Sequence, residues 1–179
     1  MSKQIAITGH TSGIGKAIYE AFPNSIGCSR NTGHDISTQT GRTMILHQAM
    51  NCDVFINNAH NGFNQTEMLN TMFDAWKDQD NKHIINIGTD AVPYVDWQVV
   101  HRQYPVEKMT LHAQAELLQN QQRRCKITTL GLGHVDTKFN KEYNGNKLSC
   151  ENIVDTVKWV IENKAEVKFI SLSARDNNE

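Results

Sequence analysis

A glycine-rich turn between an apolar segment and an amphipathic one lies near the start of the sequence. The segment Gln4–Thr8 is short, apolar and β-branched, which is typical of a buried parallel strand. Glycines follow at positions 9, 13 and 15, and residues 16–22 predict a helix that ends at a proline. Such glycines let the backbone turn tightly and approach a pyrophosphate at a helix N-terminus. This order predicts the first unit of a dinucleotide-binding sheet.

The rest of the chain alternates predicted strands with predicted helices. The strands lie at 25–29, 53–57, 83–87, 126–130 and 167–171, and the helices at 40–50, at 66–77 with Thr66 as a cap, from about 105, and from a cap at Ser149. This alternation predicts an α/β fold, a Rossmann-type doubly wound parallel sheet, as a single domain over residues 1–179.

One segment is too short for the usual number of strands. Only five steps separate Arg30 from Asp35, whereas a parallel crossover needs a dozen or more residues. We therefore expect no helix between these two residues and a shortened sheet of about six strands. The strand at 25–29 should lie at an edge of that sheet.

Four motifs in one order resemble the short-chain dehydrogenase/reductase family. They are Thr8-Gly9-x-x-x-Gly13-x-Gly15, Asn57-Asn58-Ala59-His60, Tyr104-x-x-x-Lys108 and Leu130-Gly-Leu-Gly-His-Val-Asp-Thr137. The chain departs from the family pattern at His60, which replaces a glycine, and at Leu132, which replaces a proline. The resemblance covers nearly the whole chain and implies an oxidoreductase that transfers a hydride between a nicotinamide cofactor and a small carbonyl or alcohol substrate.

Tyr104 and Lys108 are the predicted catalytic pair. Hydride transfer to a ketone builds charge on the carbonyl oxygen, so a nearby group must donate a proton. A free phenol has a pKa near 10, and an adjacent ammonium should lower it. Residues four apart on a helix share a face, although Pro105 disfavours helical geometry at Tyr104 unless it takes the first helical position. The resemblance implies that Lys108 also bonds the nicotinamide ribose.

Two further catalytic residues are predicted by position. Aligning the strand at 83–87 places Thr89 where the family carries a serine, and a threonine hydroxyl can also donate to a carbonyl oxygen. Counting back from that strand places Asn61 where many members carry an active-site asparagine. Asn64 and Asn70 are alternatives.

The choice of cofactor depends on Arg30 and Asp35. Arg30, just after the second strand, suits the 2′-phosphate of NADP(H), with a contribution from His10. Asp35 as the ribose-binding acid would instead mean NAD(H). We prefer NADP(H), because Asp35-Ile36 resembles the family's adenine-contacting element. The predicted cofactor-binding residues are Gly9, His10, Thr11, Ser12, Gly13, Ile14, Gly15, Ser29, Arg30, Asp35, Ile36, Asn58, Ala59, His60, Tyr104, Lys108, Gly133, Val135 and Thr137.

Charge, apolar runs and cysteine spacing indicate which kinds of partner and compartment to expect. The net charge of −1 comes without basic or acidic blocks, which argues against nucleic acid or a charged membrane as partner. No apolar run approaches the ~20 residues that span a bilayer. The four scattered cysteines show no metal-ligand spacing, nor do the histidines, so we expect no metal and a reduced, cytoplasmic protein without a leader.

Two predicted helices, at 66–77 and from 105, resemble the family's dimer surfaces and predict a homodimer or homotetramer. The second of them carries Val106, Met109, Ala113 and Leu117 on one face.

A catalytically silent nucleotide-binding sensor is the alternative function. An epimerase or dehydratase is disfavoured, because only residues 136–148 are free for a substrate region.

Overall fold

The computed structural model describes residues 3–90 and 103–175. Within them the chain forms six strands, β1 (Ile5–Thr8), β2 (Ile26–Cys28), β3 (Val54–Asn57), β4 (His83–Ile87), β5 (Lys126–Leu132) and β6 (Phe169–Leu172). Five helices connect or flank them, α1 (Gly13–Ala21), α2 (Gln39–Ala49), α3 (Asn64–Trp76), α4 (Tyr104–Gln119) and α5 (Cys150–Glu162). None of these helices is long and apolar enough to cross a membrane.

The strands form one parallel sheet in the order β2-β1-β3-β4-β5-β6. The prediction of a shortened sheet with β2 at its edge is confirmed. The fully described stretch between β2 and α2 holds a single 3₁₀ turn at Arg30–Thr32 and no α-helix, and α2 is the crossover that leads from β2 to β3. The chain leaves β1 towards one edge and returns to β3 on its other side. Ligands of doubly wound sheets bind where the strand order reverses in this way, beyond Thr8 and Asn57.

Two apolar layers cover the sheet because its strands alternate side chains between the two faces. Ala6, Phe55 and Ile84 face the side that α2, α3 and α4 cover. Ile7, Ile56 and Ile85 face α1 and α5 on the other side. Both layers consist mainly of buried side chains, so the carboxyl ends of the strands lie on a closely packed base.

The helix boundaries differ from the predictions in one instructive place. α3 begins at Asn64 after Phe63, so Thr66 lies inside the helix and its predicted capping role is wrong. Ser149 does cap α5, because its hydroxyl accepts a hydrogen bond from the Asn152 amide. Pro105 lies in the first turn of α4, where a missing N–H costs nothing.

Candidate active site

The glycine turn is built for close backbone approach. Gly9 and Gly13 have φ angles of +73° and +52°, which are unfavourable for residues other than glycine. A Cβ at Gly15 would overlap the Gly9 carbonyl. Thr11 and Ser12 are exposed at the turn, the Ser12 side chain makes no capping bond, and no acidic residue lies in the described first turn of α1. The amides around Ile14 therefore suit an anionic group.

The segment after β3 is fastened to the glycine turn. The Thr8 hydroxyl accepts hydrogen bonds from the amides of Asn58 (3.0 Å) and Ala59 (2.9 Å). The Asn58 side chain donates to the Thr8 carbonyl at 2.9 Å. These bonds set the width of the crevice between β1 and β3.

The loop after β5 closes the crevice from the other side. A Cβ on Gly13 would lie 3.4 Å from the Thr137 methyl group, so this loop reaches the glycine turn. Val135 is buried and pairs with Leu148, and the Gly133 amide donates to the Leu172 carbonyl. The structure thus places Gly133, Val135 and Thr137 in a loop at the carboxyl ends of the strands, where the glycine turn also lies.

The end of β2 carries the predicted nucleotide-selecting residues. Ser29 is buried and Arg30 is exposed at the 3₁₀ turn. The Asp35 carboxylate accepts from the Ser37 amide at 2.9 Å, which with nearby Arg30 lowers the pKa of that carboxyl. Ile36 lies in the core. The His10 ring packs over Gly27, where a Cβ would overlap it.

Lys108 is a buried ammonium beside Tyr104. Its side chain is almost fully enclosed and its Nζ donates to Gln65 Oε1 at 2.7 Å and to the Ile87 carbonyl at 2.9 Å. The Nζ lies 5.7 Å from the centre of the Tyr104 ring. Burial, opposed by Glu107, lowers the pKa of Lys108 to about 7. The predicted pair is therefore brought together at the carboxyl edge of the sheet.

The predicted lowering of the Tyr104 pKa is wrong in this structure. Burial, and then the carboxylates of Asp90 and Glu107, raise the pKa of Tyr104 to about 12. The sequence did not reveal this because Asp90 approaches through the fold rather than along the helix. The Asp90 carboxylate also accepts from Ser173 at 2.7 Å.

Thr89 and Asn61 occupy different surroundings. Thr89 is buried just beyond β4, and its hydroxyl donates to the Leu132 carbonyl at 3.3 Å. Asn61 is exposed in the loop before α3, where its oxygen accepts from Asn64 at 2.9 Å rather than from Lys108. The amide that contacts Lys108 belongs to Gln65.

Sequence reasoning missed Gln65 and Glu107. Gln65 shares a helical stripe with the buried Met68, Leu69 and Met72, and a polar residue on such a stripe is the signal that could have found it. Glu107 lies 3.0 Å from His60 Nε2, and the His60 ring meets the Tyr104 ring edge-on at 5.0 Å. Burial, with nearby Lys108, lowers the pKa of His60.

Tyr94 and Trp97 are aromatic residues that could line an apolar substrate pocket, and they lie outside the described residues, as does His101. Phe139 is exposed, and its ring centre lies 5.7 Å from that of Tyr104. Tyr143 stacks on His134. In residues 3–90 and 103–175 no group of three or more candidate metal ligands occurs.

Comparison with solved structures identifies the fold. A short-chain dehydrogenase from Burkholderia cenocepacia J2315, in complex with NADP, superposes with a TM-score of 0.76 at 17% identity, over 96% of this chain and 90% of that one. The chain has the short-chain dehydrogenase fold. L-sorbose reductase from Gluconobacter frateurii, with NADPH and L-sorbose, gives 0.72 at 14% identity over 99% and 97% of the two chains.

A third similar structure carries the other nicotinamide cofactor. It is 3-alpha-hydroxysteroid dehydrogenase from Pseudomonas sp. B-0831, complexed with NADH, with a TM-score of 0.71 at 15% identity over 94% of this chain and 95% of that one. No protein-family model and no curated protein matches the sequence. At these identities the likeness establishes the fold alone.

Proposed function

We propose that the protein is an NADP(H)-dependent oxidoreductase of a small carbonyl or alcohol compound, with Tyr104 as proton donor. The observation that carries this proposal is the buried ammonium of Lys108 beneath the Tyr104 ring, at the strand edge that also holds the glycine turn. A buried lysine costs folding free energy, so its presence beside a phenol favours a chemical role over a structural one.

The residues present fit a nicotinamide dinucleotide. The uncapped N-terminus of α1 and the glycine turn would hold its pyrophosphate, since a side chain at Gly9, Gly13 or Gly15 would crowd or strain this place. The exposed guanidinium of Arg30 would pair with a 2′-phosphate. When bound, the cofactor supplies or accepts the hydride.

The protonation state of Tyr104 favours carbonyl reduction. With a pKa of about 12, the phenol holds its proton at neutral pH and can give it to the alkoxide that reduction creates. The ammonium of Lys108 then stabilises the phenolate that remains. Thr89 is proposed as the second donor to the carbonyl oxygen, which requires its hydroxyl to turn away from Leu132.

The side chains around Tyr104 favour an apolar substrate. The ring of Phe139 packs at a tilt against the Tyr104 ring, and the His60 ring meets the Tyr104 ring edge-on. These rings leave a partly aromatic surface beside the phenol. We therefore propose carbonyl compounds with an apolar or aromatic substituent rather than highly charged ones.

A panel of aldehydes and ketones tests the function directly. NADPH oxidation is followed by absorbance with the parent protein and with Tyr104→Phe. Turnover of at least one apolar carbonyl by the parent, and its loss in the variant, is expected. Equal rates in both proteins would contradict the assigned role of Tyr104.

A catalytically silent NADP(H)-binding sensor is the second candidate. It is favoured by the contacts of Lys108 Nζ, which donates to Gln65 and Ile87. The two functions differ in one result. A sensor binds NADPH but oxidises it with no member of the panel.

A further inference from the structure

Gln65 is a polar side chain on the buried face of α3. It is only 1% exposed. Its Nε2 donates to the Asn57 carbonyl at 2.8 Å and to the Ile87 carbonyl at 3.0 Å. Because both donors of the amide meet carbonyl oxygens, the orientation of the side chain is determined, and Oε1 must face Lys108.

The backbone of Gln65 is held as firmly as its side chain. Its carbonyl accepts from Asn57 Nδ2 at 2.9 Å, and the same nitrogen donates to Asn86 Oδ1 at 3.0 Å. Asn57 and Asn86 are paired residues at the ends of β3 and β4. Two neighbouring strands therefore fix the amide that meets the lysine.

Lys108 has a long side chain that needs such a support. Its flexible four-carbon stem loses rotamer entropy when the ammonium is held in a defined position. The two described acceptors of its ammonium are Gln65 Oε1 at 2.7 Å and the Ile87 carbonyl at 2.9 Å. Gln65 also bonds that carbonyl, so it orients one acceptor and supplies the other.

We propose that Gln65 is the positioning residue of Lys108, and that its amide oxygen holds the ammonium beside Tyr104 without neutralising its charge. A carboxylate at this place would pair with the ammonium and weaken its influence on the phenol. A neutral acceptor holds the ammonium and leaves its charge available. The consequence for turnover rests on the proposed function, whereas the placement of the ammonium does not.

The surroundings of the ammonium contain other groups that titrate. Glu107 and His112 lie with it on α4, Tyr104 lies one turn before it, and His60 approaches from the loop after β3. The effect of the Gln65 amide should therefore be measured from the titration of Lys108 itself, because the pH dependence of activity would combine all of these groups.

NMR of ¹³Cε-labelled lysine in the nucleotide-free protein makes that measurement. A Lys108→Arg variant identifies the resonance. Gln65→Met removes the acceptor at similar volume, and Gln65→Asn keeps an amide that is one methylene too short. The matched control is Gln114→Met, because Gln114 also joins α3 and α4, through Asn70 at 2.8 Å, without contacting Lys108 in the described structure.

The variants at Gln65 should lower the titration midpoint of Lys108 by about one to two pH units, which is the loss of one hydrogen bond to a charged group. Gln114→Met should leave the midpoint unchanged. In the active enzyme, kcat should fall about 10²-fold in the Gln65 variants with little change in KM for the carbonyl compound. Gln65→Asn keeps the test readable if Gln65→Met does not fold.

The two proposals fail in different ways. An unchanged Lys108 midpoint in a folded Gln65 variant would overturn the positioning role, even if the parent reduces carbonyl compounds. A lowered Lys108 midpoint in a Gln65 variant, together with a parent protein that reduces no carbonyl compound, would support the positioning role and refute the proposed function.

Discussion

Tyr104 and Lys108 are four residues apart on one helix, yet their environments act on them in opposite directions. Burial disfavours the charged form of each, which raises the pKa of the phenol to about 12 and lowers that of the ammonium to about 7. At neutral pH the phenol therefore keeps its proton, beside a lysine whose charged form is stabilised by two hydrogen bonds.

Replacing Tyr104 by phenylalanine tests that description at a single atom. The variant removes the proton donor and leaves the glycine turn untouched, so turnover should fall ~10²–10⁴-fold while NADPH affinity stays near the parent value. Steady-state kinetics and fluorescence titration measure the two quantities. Tyr143→Phe is the control, because Tyr143 stacks on His134 away from this pair and should keep parent turnover.

Arg30 should determine the preference between nucleotides. Arg30→Ala removes the guanidinium proposed to pair with the 2′-phosphate, so NADPH should bind more weakly while NADH changes little. The parent's preference for NADPH should also shrink at high salt, because the side chain is exposed. Fluorescence titration of both nucleotides decides. Arg124→Ala, an exposed arginine paired with Asp80, is the control; tighter NADH binding by the parent would favour Asp35 instead.

At the scale of elements, α2 is anchored at its end by a buried lysine. Lys82 lies just before β4, and its Nζ donates to the carbonyls of Met50 (3.0 Å) and Cys52 (2.5 Å) while lying 5.0 Å from the Trp76 ring centre. A cation at this place satisfies carbonyls that the end of a helix leaves without partners. The lysine thus joins α2 to the central strands.

Lys82→Met should destabilise the fold by about 1–3 kcal/mol, because it leaves buried carbonyls without this donor. Urea unfolding followed by circular dichroism measures the free energy of unfolding. Lys158→Met, at an exposed lysine on α5 whose ammonium lies 3.5 Å from Asp155, should change it by no more than about 0.5 kcal/mol. Equal effects in the two variants would show that Lys82 does not anchor α2.

At the scale of the whole molecule, the hydrogen-bonded sheet runs without a break from β2 to β6. We propose that the chain is a single domain and expect one unfolding transition, with circular dichroism and tryptophan fluorescence in agreement. A buried histidine should make that transition sensitive to acid. His83 Nε2 lies 2.8 Å from the Thr128 hydroxyl, and burial, with nearby Lys126, lowers the pKa of His83 to about 4.

The acid sensitivity has a defined direction. Between pH 6.5 and 4, His83 binds a proton in the unfolded chain but stays neutral in the folded protein. The free energy of unfolding therefore falls as the pH falls through this range. The contribution is about 3 kcal/mol, is complete above pH 6.5 and is lost near pH 4. His83→Gln should reduce the dependence of the unfolding free energy on pH in this window, and His112, whose pKa burial also lowers to about 4, should supply the part that remains. His47→Gln, at an exposed histidine, should not.

An exposed apolar face on α4 supports the proposed assembly. The buried side of the helix carries Leu111, Ala115 and Leu118, whereas Val106 and Leu117 are 50% and 55% exposed. We propose that this face pairs with a second copy in a homodimer or homotetramer. Sedimentation should give an oligomer for the parent and a smaller species for Leu117→Glu. Trp159→Glu, at an exposed residue of α5, should leave the oligomer intact; a monomeric parent at micromolar concentration would contradict the proposal.

The order of the strands and helices could be predicted from the sequence because it depends on local properties. Apolar runs, glycine positions and the short interval between Arg30 and Asp35 act over a few residues, and they led to the six-stranded sheet with β2 at its edge. The spacing of Tyr104 and Lys108 could be recognised for the same reason, since one helical turn brings them to one side.

The environment of that pair was decided only by the tertiary structure. Gln65 reaches Lys108 across 43 positions of the chain, and Asp90 approaches Tyr104 from the end of a strand. The stripe on α3 indicates that Gln65 is buried but not what it contacts, because each contact depends on how α3, α4 and β4 pack on one another. A pKa depends on burial and on charges close in space, so its direction at Tyr104 could not be obtained from spacing along a helix.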